Sequence, residues 1–391
     1  MMSILTYFLL VLLLIIPFIS LTYAVEINVV DFGARGDGKT DASPAFLKAW
    51  TVACSSLEPT TIYVPRRRFL LGQITFEGPC TNSGITLRID GILVSPAYEK
   101  MGSAKYWMLF DKVEGVNITG GFLDGQGSSL WSCKGVAGQD CPVGATSLTF
   151  FGSKDVTIQN LTSINAKLYH IVILSSQNVV LQGVRIYAPE ESPNTDGVHV
   201  EKSLNVRILN SGIKTGDDCV SIGPGTKDLW IQRVACGPGH GISIGSLGKE
   251  VNEEGVENVV VKSVVFTGTQ NGLRIKSWGR PSKGYVKGVV FKQVVMNNVQ
   301  NPILIDQNYC PNNEGCPGQH SGIQISNVTY TAIKGTSATK VAIKFDCSQT
   351  SPCEGIKEQN IQLSYLGELA ESSCQNARGV VLGSVFPPSC L

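Results

Sequence analysis

The sequence has almost no net charge and few charged residues of either sign. It contains 32 lysine and arginine residues against 31 aspartate and glutamate residues, which gives a net charge of +1, and only 16% of its residues are charged. It also lacks a long run of lysine and arginine. Such a chain has no bulk field that recruits a polyanion. We therefore expect no nucleic-acid partner, and we expect any acidic substrate to be held by a local basic cluster.

The chain also lacks an apolar run of membrane-spanning length at its N-terminus. The unbroken apolar run from Phe8 to Ile16 is about half of the ~20 residues that a spanning helix needs. Small residues follow at Thr22 and Ala24, which suits cleavage by signal peptidase, although no lysine or arginine precedes the run. The sequence predicts a signal peptide over residues 1–24 and no membrane span in the mature protein. An uncleaved anchor is the alternative.

Free thiols are not expected, although cysteine is abundant. All 12 cysteines follow the leader, and an even number in a secreted chain favours disulfides over zinc ligands. Sequence proximity predicts the following pairs, the last by elimination: Cys133 with Cys141, Cys219 with Cys236, Cys310 with Cys316, Cys347 with Cys353, Cys374 with Cys390, and Cys54 with Cys80. Sequons at Asn117, Asn160 and Asn327 are consistent with a secreted glycoprotein.

Helix patterns are scarce, and short strand patterns replace them. Ser43 and Pro44 predict the cap and first position of one substantial helix, which covers the open end of the fold. Beyond it, β-branched runs alternate apolar and polar residues at intervals too long for hairpins. The pattern predicts an all-β protein, a right-handed parallel β-helix of roughly ten coils with an N-terminal capping helix. We expect a single domain over residues 25–391, whose second end cap begins at Glu371.

Three acidic or basic side chains share one phase of this repeat. Asp196 and Asp218 are 22 residues apart, and so are Asp218 and His240. Equivalent residues of neighbouring coils stack ~4.8 Å apart, so these three side chains should lie side by side, with Asp217 next to them. Repulsion among three carboxylates raises at least one pKa. The cluster would then provide the protonated acid and the ionised base that glycoside hydrolysis requires.

A cationic pair follows the acidic segments. Arg274 and Lys276 are two residues apart on a predicted strand and therefore face the same side. Beside the carboxylates they would hold the carboxylate of an acidic sugar, Arg274 through its planar fork and Lys276 as a point charge. Tyr309 follows a further repeat and is a candidate for sugar stacking. Less specific interpretations stay open: turn residues, a packed histidine, a solubilising surface pair, or a calcium site built from the three carboxylates.

Four segments together resemble a known family. Asn194-Thr-Asp-Gly197, Gly216-Asp-Asp218, Gly239-His-Gly241 and Arg274-Ile-Lys276 are similar, in order and spacing, to the four signatures of the family 28 glycoside hydrolases, the polygalacturonases, of plant type. The similarity extends from Val29 almost to the C-terminus. The resemblance implies hydrolysis of α-1,4-linked galacturonan with inversion, and it implies neither a metal nor another cofactor.

The resemblance also implies roles for the site residues. Asp217 would be the proton donor, Asp196 and Asp218 would hold and activate the water, and His240 would tune the cluster. The implied substrate-binding residues are Asn194, Arg274, Lys276 and Tyr309.

Alternatives at the level of function follow from the same residues. The spacing of the carboxylates permits retention or inversion, and only the resemblance favours inversion. Endo action is favoured and exo action is the alternative. A calcium-dependent pectate lyase and a non-catalytic wall-binding protein are more distant alternatives, opposed by Gly239-His-Gly241 and by the intact acidic residues. We expect a monomeric enzyme, secreted to the extracellular cell wall, whose partner is the homogalacturonan of pectin.

Overall fold

A computed structural model describes residues 25–391, so the predicted signal peptide lies outside the described residues. Three columns of parallel strands, here called A, B and C, run along the molecule, and the chain visits them in turn. The protein is a parallel β-helix, which confirms the predicted fold class. Column C has eleven strands, close to the roughly ten coils expected. Within the described residues, no helix has the length and apolarity needed to cross a membrane.

Each column is built from one strand per coil. Column A consists of Val25–Asn28, Thr60–Val64, Ile85–Ile89, Val116–Thr119, Lys154–Gln159, Gln177–Gln182, Leu204–Leu209, Lys227–Gln232, Val256–Lys262, Tyr285–Val299, Gln324–Ser337, Cys353–Tyr365 and Ala377–Phe386. Column B consists of Asp37–Asp41, Arg68–Leu70, Ile92–Val94, Phe122–Asp124, Thr162–Ile164, Arg185–Tyr187, Gly212–Lys214, Ala235–Cys236 and Val265–Thr267. Column C consists of Ile74–Glu77, Tyr106–Asp111, Thr146–Phe151, Ile171–Leu174, Val198–Glu201, Val220–Ile222, Ile242–Leu247, Asn271–Trp278, Asn301–Tyr309, Val341–Asp346 and Glu371–Gln375. From Tyr285–Val299 onward, columns A and B continue as single long strands.

The remaining elements are short, except for the predicted capping helix. The α-helices are Ser43–Ser55, Tyr98–Met101 and Ser128–Lys134; the 3₁₀-helices are Val29–Phe32 and Pro311–Asn313; the short strand Glu368–Leu369 pairs antiparallel with column A. The first α-helix begins one residue before the expected position. Its N-cap is Ala42 rather than Ser43, because the carboxylate of Asp41 accepts the Ser43 backbone N–H at 2.9 Å.

Inward-facing side chains of neighbouring coils stack into one continuous core. The rings of Phe76, Phe110 and Phe150, on three successive strands of column C, stack with centroids 4.6 and 4.8 Å apart. Trp50 of the first helix packs on Phe76 at 5.2 Å and donates its indole N–H to the Glu77 carbonyl. The helix therefore covers the apolar end of the cylinder, as a terminal coil requires.

Turns between coils are also stacked. Asp155, Asn178 and Asn205 are each the second residue of a column A strand and adopt a left-handed backbone, with φ of 51°, 56° and 54°. The Asn178 amide donates to Asp155 at 2.8 Å, and the Asn205 amide donates to Asn178 at 2.8 Å. Asparagine and aspartate tolerate this conformation, which explains why the repeated strand pattern so often begins with them.

All twelve cysteines form disulfides, and all six predicted pairs are confirmed. The expectation for the C-terminal segment is only partly correct. Glu371–Gln375 and Ala377–Phe386 are not a separate cap but strands of the last coil, paired with Val341–Asp346 and Cys353–Tyr365. The Cys374–Cys390 bond ties this coil to the chain end.

Candidate active site

The acidic residues predicted to be equivalent in successive coils are aligned by the pairing of the column C strands. Val198 pairs with Val220, and Val220 pairs with Ile242. Asp196, Asp218 and His240 each lie two residues before these paired positions, so they are equivalent residues of three adjacent coils. One oxygen from each of Asp196, Asp217 and Asp218 lies within 4.8 Å of the others.

Local backbone constraints explain the glycines of these segments. Gly241 has φ of 90°, and a Cβ there would collide with the Asn271 carbonyl oxygen of the next coil. A Cβ at Gly216 would collide with the Ser192 carbonyl oxygen. Glycine is required at both positions because the chain passes this close to neighbouring backbone. The aspartates and His240 are thereby held in fixed turns above the strands.

Asp218 is the most strongly bound carboxylate of the site. Its side chain is 2% exposed, and it accepts hydrogen bonds from Arg274 at 2.7 Å and from Lys276 at 2.8 Å. Ser243 donates to it at 2.6 Å. Burial alone would raise the pKa of Asp218, but the charges of Lys276 and Arg274 and the hydrogen bonds lower this pKa to about 2. Asp218 is therefore an ionised carboxylate at any physiological pH.

Asp196 has the opposite electrostatic environment. Its burial raises its pKa well above the ordinary value, and repulsion from Asp217 and Asp218 raises it further. The charge of Lys276 opposes this shift without cancelling it. Asp218 has two cationic partners, whereas Asp196 has none as close. The two carboxylates, on adjacent coils of a single cluster, therefore hold a proton with different affinity.

Asp217 is the carboxylate that faces outward. Its side chain is 20% exposed, and that of His240 is 36% exposed. The Nδ1 atom of His240 lies 3.0 Å from Asp217 Oδ1, and the Asn194 amide lies 3.4 Å from Asp217 Oδ2. Asn194 reaches this position from a left-handed turn, with φ of 58°. Asp217 is therefore the member of the cluster that a bound polymer can reach.

The structure brings Arg274, Lys276 and Tyr309 to the same place. Arg274 and Lys276 face Asp218 while Leu273 and Ile275 face the core, as the strand alternation predicts, although both cations are themselves buried. The Lys276 ammonium lies 5.2 Å from the centroid of the Tyr309 ring. The sequence did not indicate that both cations would pair with Asp218. Two cations therefore share the single carboxylate of Asp218.

Sequence reasoning missed two further residues. Ser243 links the site, since it donates to Asp218 and accepts the Arg274 Nε–H at 2.9 Å. Tyr169 occupies the position equivalent to Asp196 in the preceding coil, because Ile171 pairs with Val198. Burial and then the negative charge of Asp196 raise the pKa of Tyr169. The same phase that identified the aspartates would have identified Tyr169, had the repeat been extended one coil back.

The three carboxylates are poorly suited to calcium. A divalent ion requires several free oxygen ligands, yet both oxygens of Asp218 already accept hydrogen bonds from Arg274 and Lys276. These cations would also repel a metal at contact distance. The cluster resembles a charged catalytic group rather than an ion cage.

Glycoside hydrolysis uses carboxyl groups that differ in protonation. The site has three: one ionised, one with raised proton affinity and one facing outward. Placed on the face of a parallel β-helix, they define a β-helical glycoside hydrolase.

Comparisons with known proteins identify the family. The profile "Glycosyl hydrolases family 28" matches residues 54–385. The chain is 58% identical over 93% of its length to a "Polygalacturonase" of Prunus persica, of which it also covers 93%. It is 41% identical over 92% of its length to an "Exopolygalacturonase" of Platanus acerifolia, of which it covers 96%. The chain belongs to glycosyl hydrolases family 28.

Solved structures agree on the fold. An endo-xylogalacturonan hydrolase from Aspergillus tubingensis superposes with a TM-score of 0.77 at 21% identity, covering 90% of this chain and 98% of that one. An exopolygalacturonase from Thermotoga maritima gives a TM-score of 0.71 at 21% identity, covering 92% of each chain.

Proposed function

We propose that this protein is a polygalacturonase, which hydrolyses the α-1,4-galacturonosyl bonds of homogalacturonan in pectin. The observation that carries this proposal is the carboxylate cluster, in which Arg274 and Lys276 keep Asp218 ionised beside Asp196 and Asp217. The two cations Arg274 and Lys276 suit an anionic sugar. The named plant relatives support galacturonan as the substrate.

The proposed roles follow from exposure and charge. Asp217 protonates the leaving oxygen, because it is the most exposed of the three carboxylates and His240 and Asn194 orient it. Asp196 and Asp218 hold the water on the other side of the bond. The raised pKa of Asp196 makes it the better proton acceptor of the two. Arg274, Lys276 and Tyr309 then bind the galacturonate unit next to the cleaved bond.

Inversion is proposed for the reaction. The carboxylate oxygens lie within 4.8 Å of one another, which is less than the ~6.5–9.5 Å between carboxyl groups that is usual for inverting enzymes. Direct attack on the sugar is nevertheless disfavoured for both buried carboxylates. Asp218 has both oxygens occupied by Arg274 and Lys276, and Asp196 is only 6% exposed. Attack by a water held between them agrees with these contacts.

Further parts of the proposal rest on sequence and family membership. We propose a secreted protein of the cell wall that acts as a monomer, uses no cofactor or metal, has no nucleic-acid partner and no membrane span in its mature form, and has residues 25–391 as a single catalytic domain. The disulfides support an oxidising compartment. The sequons at Asn117, Asn160 and Asn327 are proposed glycosylation sites.

The test uses polygalacturonan, neutral galactan and proton NMR of the fresh products. The wild type should cleave polygalacturonan only, and its first anomeric signal, recorded before mutarotation, should be that of the β-anomer. The Asp217→Asn variant is the control for contaminating activity. Comparable cleavage of galactan would refute the assigned substrate. An initial α-signal would instead refute inversion and make one aspartate a nucleophile.

A further inference from the structure

Lys276 is followed in sequence by an aromatic residue, Trp278, and a cationic residue, Arg280, neither of which has a role in the proposed reaction. Trp278 lies at the end of the strand Asn271–Trp278 and pairs in register with Tyr309 of the next coil. The two rings meet edge to face, with centroids 5.5 Å apart. The guanidinium of Arg280 lies 5.5 Å from the centroid of the Trp278 ring. We call Trp278 and Arg280 the distal pair. Lys276 and Tyr309 join this pair to the carboxylate cluster.

Arg280 is held in place while its charge is left without a counterion. Its carbonyl accepts the Gly322 N–H at 2.9 Å, and its Nη1 atom donates to the Lys249 carbonyl at 3.4 Å. It forms no ion pair with any residue of the 25–391 range, whereas Arg274 is bound to Asp218. Arginine has five N–H donors. Most of those on Arg280 therefore remain free to bind an anion.

The partners of the distal pair are themselves fixed. The Glu253 carboxylate accepts the backbone N–H groups of Gly248, Lys249 and Glu250 at 2.7, 2.7 and 3.0 Å. Such a cap on three successive amides orders the loop, and it fixes the Lys249 carbonyl that receives Arg280. The Trp278 indole donates to the Ser246 hydroxyl at 3.2 Å. The pair is therefore organised before a ligand arrives, which reduces the entropy lost on binding.

We propose that Trp278 and Arg280 form an additional subsite for a uronic acid unit, beyond the unit bound by Arg274 and Lys276. This inference rests on the proposed function, since galacturonan supplies the uronic acid. The flat indole of Trp278 packs against the C–H face of the sugar, and the guanidinium fork of Arg280 binds its carboxylate. A methyl-esterified unit carries no such charge, so the subsite selects against esterification at this position.

The experiment measures binding and turnover of oligogalacturonates of defined length. Binding is titrated in the inactive Asp217→Asn background, and kcat and KM are measured in the otherwise wild-type enzyme. Arg280→Gln and Trp278→Ala should each raise Kd and KM about tenfold for oligomers long enough to reach the subsite. The shortest bound oligomers should show no change. Arg280→Gln should also abolish the preference for an unesterified unit at this position.

A matched pair elsewhere on the protein provides the control. Lys292 lies 5.7 Å from the Trp230 ring on the outer face of column A, away from column C. Lys292→Gln and Trp230→Ala should therefore leave Kd and KM unchanged. Thermal melting checks that all variants fold, and Arg280→Lys and Trp278→Phe provide milder substitutions at the same positions.

Each remaining outcome is decisive. If Arg280→Gln and Trp278→Ala match the control variants at every oligomer length while the wild type cleaves polygalacturonan, the subsite is refuted and the proposed function stands. If the wild type neither binds nor cleaves galacturonan, the proposed function fails and the subsite fails with it. An equal loss for short and long oligomers would also refute the subsite, because the two side chains would then act on the central unit.

Discussion

Asp217 and Asp218 are neighbours in sequence but differ in almost every contact. Asp217 is partly exposed and contacts the neutral amide of Asn194 and the ring of His240. Asp218 is buried and forms ion pairs with two cations. Removing a partner from a buried ion pair leaves uncompensated charge and costs ~3–5 kcal/mol. The two residues should therefore respond differently to substitution, although both are proposed to serve the same reaction.

We predict that Asp217→Ala abolishes turnover without loss of stability, whereas Asp218→Ala loses both. Loss of a general acid or base lowers kcat by ~10²–10⁴. Only Asp218→Ala leaves Arg274 and Lys276 buried without their carboxylate, and we expect it to lose ~3–5 kcal/mol of unfolding free energy. Denaturant titration and initial rates on polygalacturonan measure the two effects. Equal stability of the two variants would contradict the assigned ion pairs, and normal turnover in either would remove that residue from the mechanism.

Ser243 provides a prediction on pH dependence. Ser243→Ala removes a donor to the ionised form of Asp218, so the pKa of Asp218 should rise from about 2. Asp218 is proposed to hold the water in its ionised form, so activity should fall as the pH falls through its pKa. A higher pKa therefore moves the acid limb of the kcat profile to higher pH, by roughly one unit. Ser277→Ala is the matched control, because Ser277 is buried on the same column and bonds to Ser321. An unshifted acid limb would show that Ser243 does not influence the base.

At the scale of the strands, the repeat made most of the fold predictable. Apolar residues two apart mark each strand, and residues such as Asn178 and Asn205 mark its left-handed second position. The same register aligned Asp196, Asp218 and His240, because spacing along a solenoid converts directly into distance across it.

Other features depended on contacts that spacing does not encode. The pairing of Lys276 with Asp218 depends on side-chain rotamers, and the phase of the repeat leaves these undetermined. The N-cap at Ala42 depends on the carboxylate of Asp41, which accepts both the backbone N–H and the hydroxyl of Ser43. The end cap expected from Glu371 is a paired coil, because Ala377–Phe386 hydrogen-bonds to Cys353–Tyr365, a pairing that spacing did not indicate; Val380, Val381 and Leu382 remain exposed there.

The Cys219–Cys236 disulfide closes one coil around the core beneath the site. Cys219 follows Asp218 and immediately precedes the column C strand Val220–Ile222, and Cys236 lies in column B, four residues before His240. The bond encloses 17 residues, and a loop of this size contributes ~3 kcal/mol to stability in the chain-entropy account. It joins the two ends of the coil that separates Asp218 from His240.

We predict that replacing Cys219 and Cys236 together by alanine lowers stability by ~3 kcal/mol and also lowers kcat. We expect kcat to fall because the turn that carries Asp218 is no longer tied to the segment before His240. Replacing Cys54 and Cys80 is the control, since that bond encloses 26 residues at the N-terminal end, far along the helix axis from the site. The control should lose comparable stability at unchanged kcat. A normal kcat in both double variants would show that the disulfide braces the fold alone.

At the scale of the whole molecule, the site lies in the middle of column C. Four strands precede those that carry the cluster: Ile74–Glu77, Tyr106–Asp111, Thr146–Phe151 and Ile171–Leu174. Three strands follow: Asn301–Tyr309, Val341–Asp346 and Glu371–Gln375. A polymer lying along this column thus meets several coils on either side of the cleaved bond. The relatives include proteins named polygalacturonase and exopolygalacturonase, so family membership leaves the mode of attack open.

We predict endo action on long galacturonan, because the central position of the cluster gives the polymer a surface in both directions. Early in the reaction, products of intermediate length should dominate, and viscosity should fall steeply for each reducing end formed. Size analysis of the products and parallel viscometry measure this, with Asp217→Asn as the inactive control. An exo enzyme would release one short product from the start while viscosity stayed high. That result would mean that the connections bordering column C close the groove on one side of Asp217.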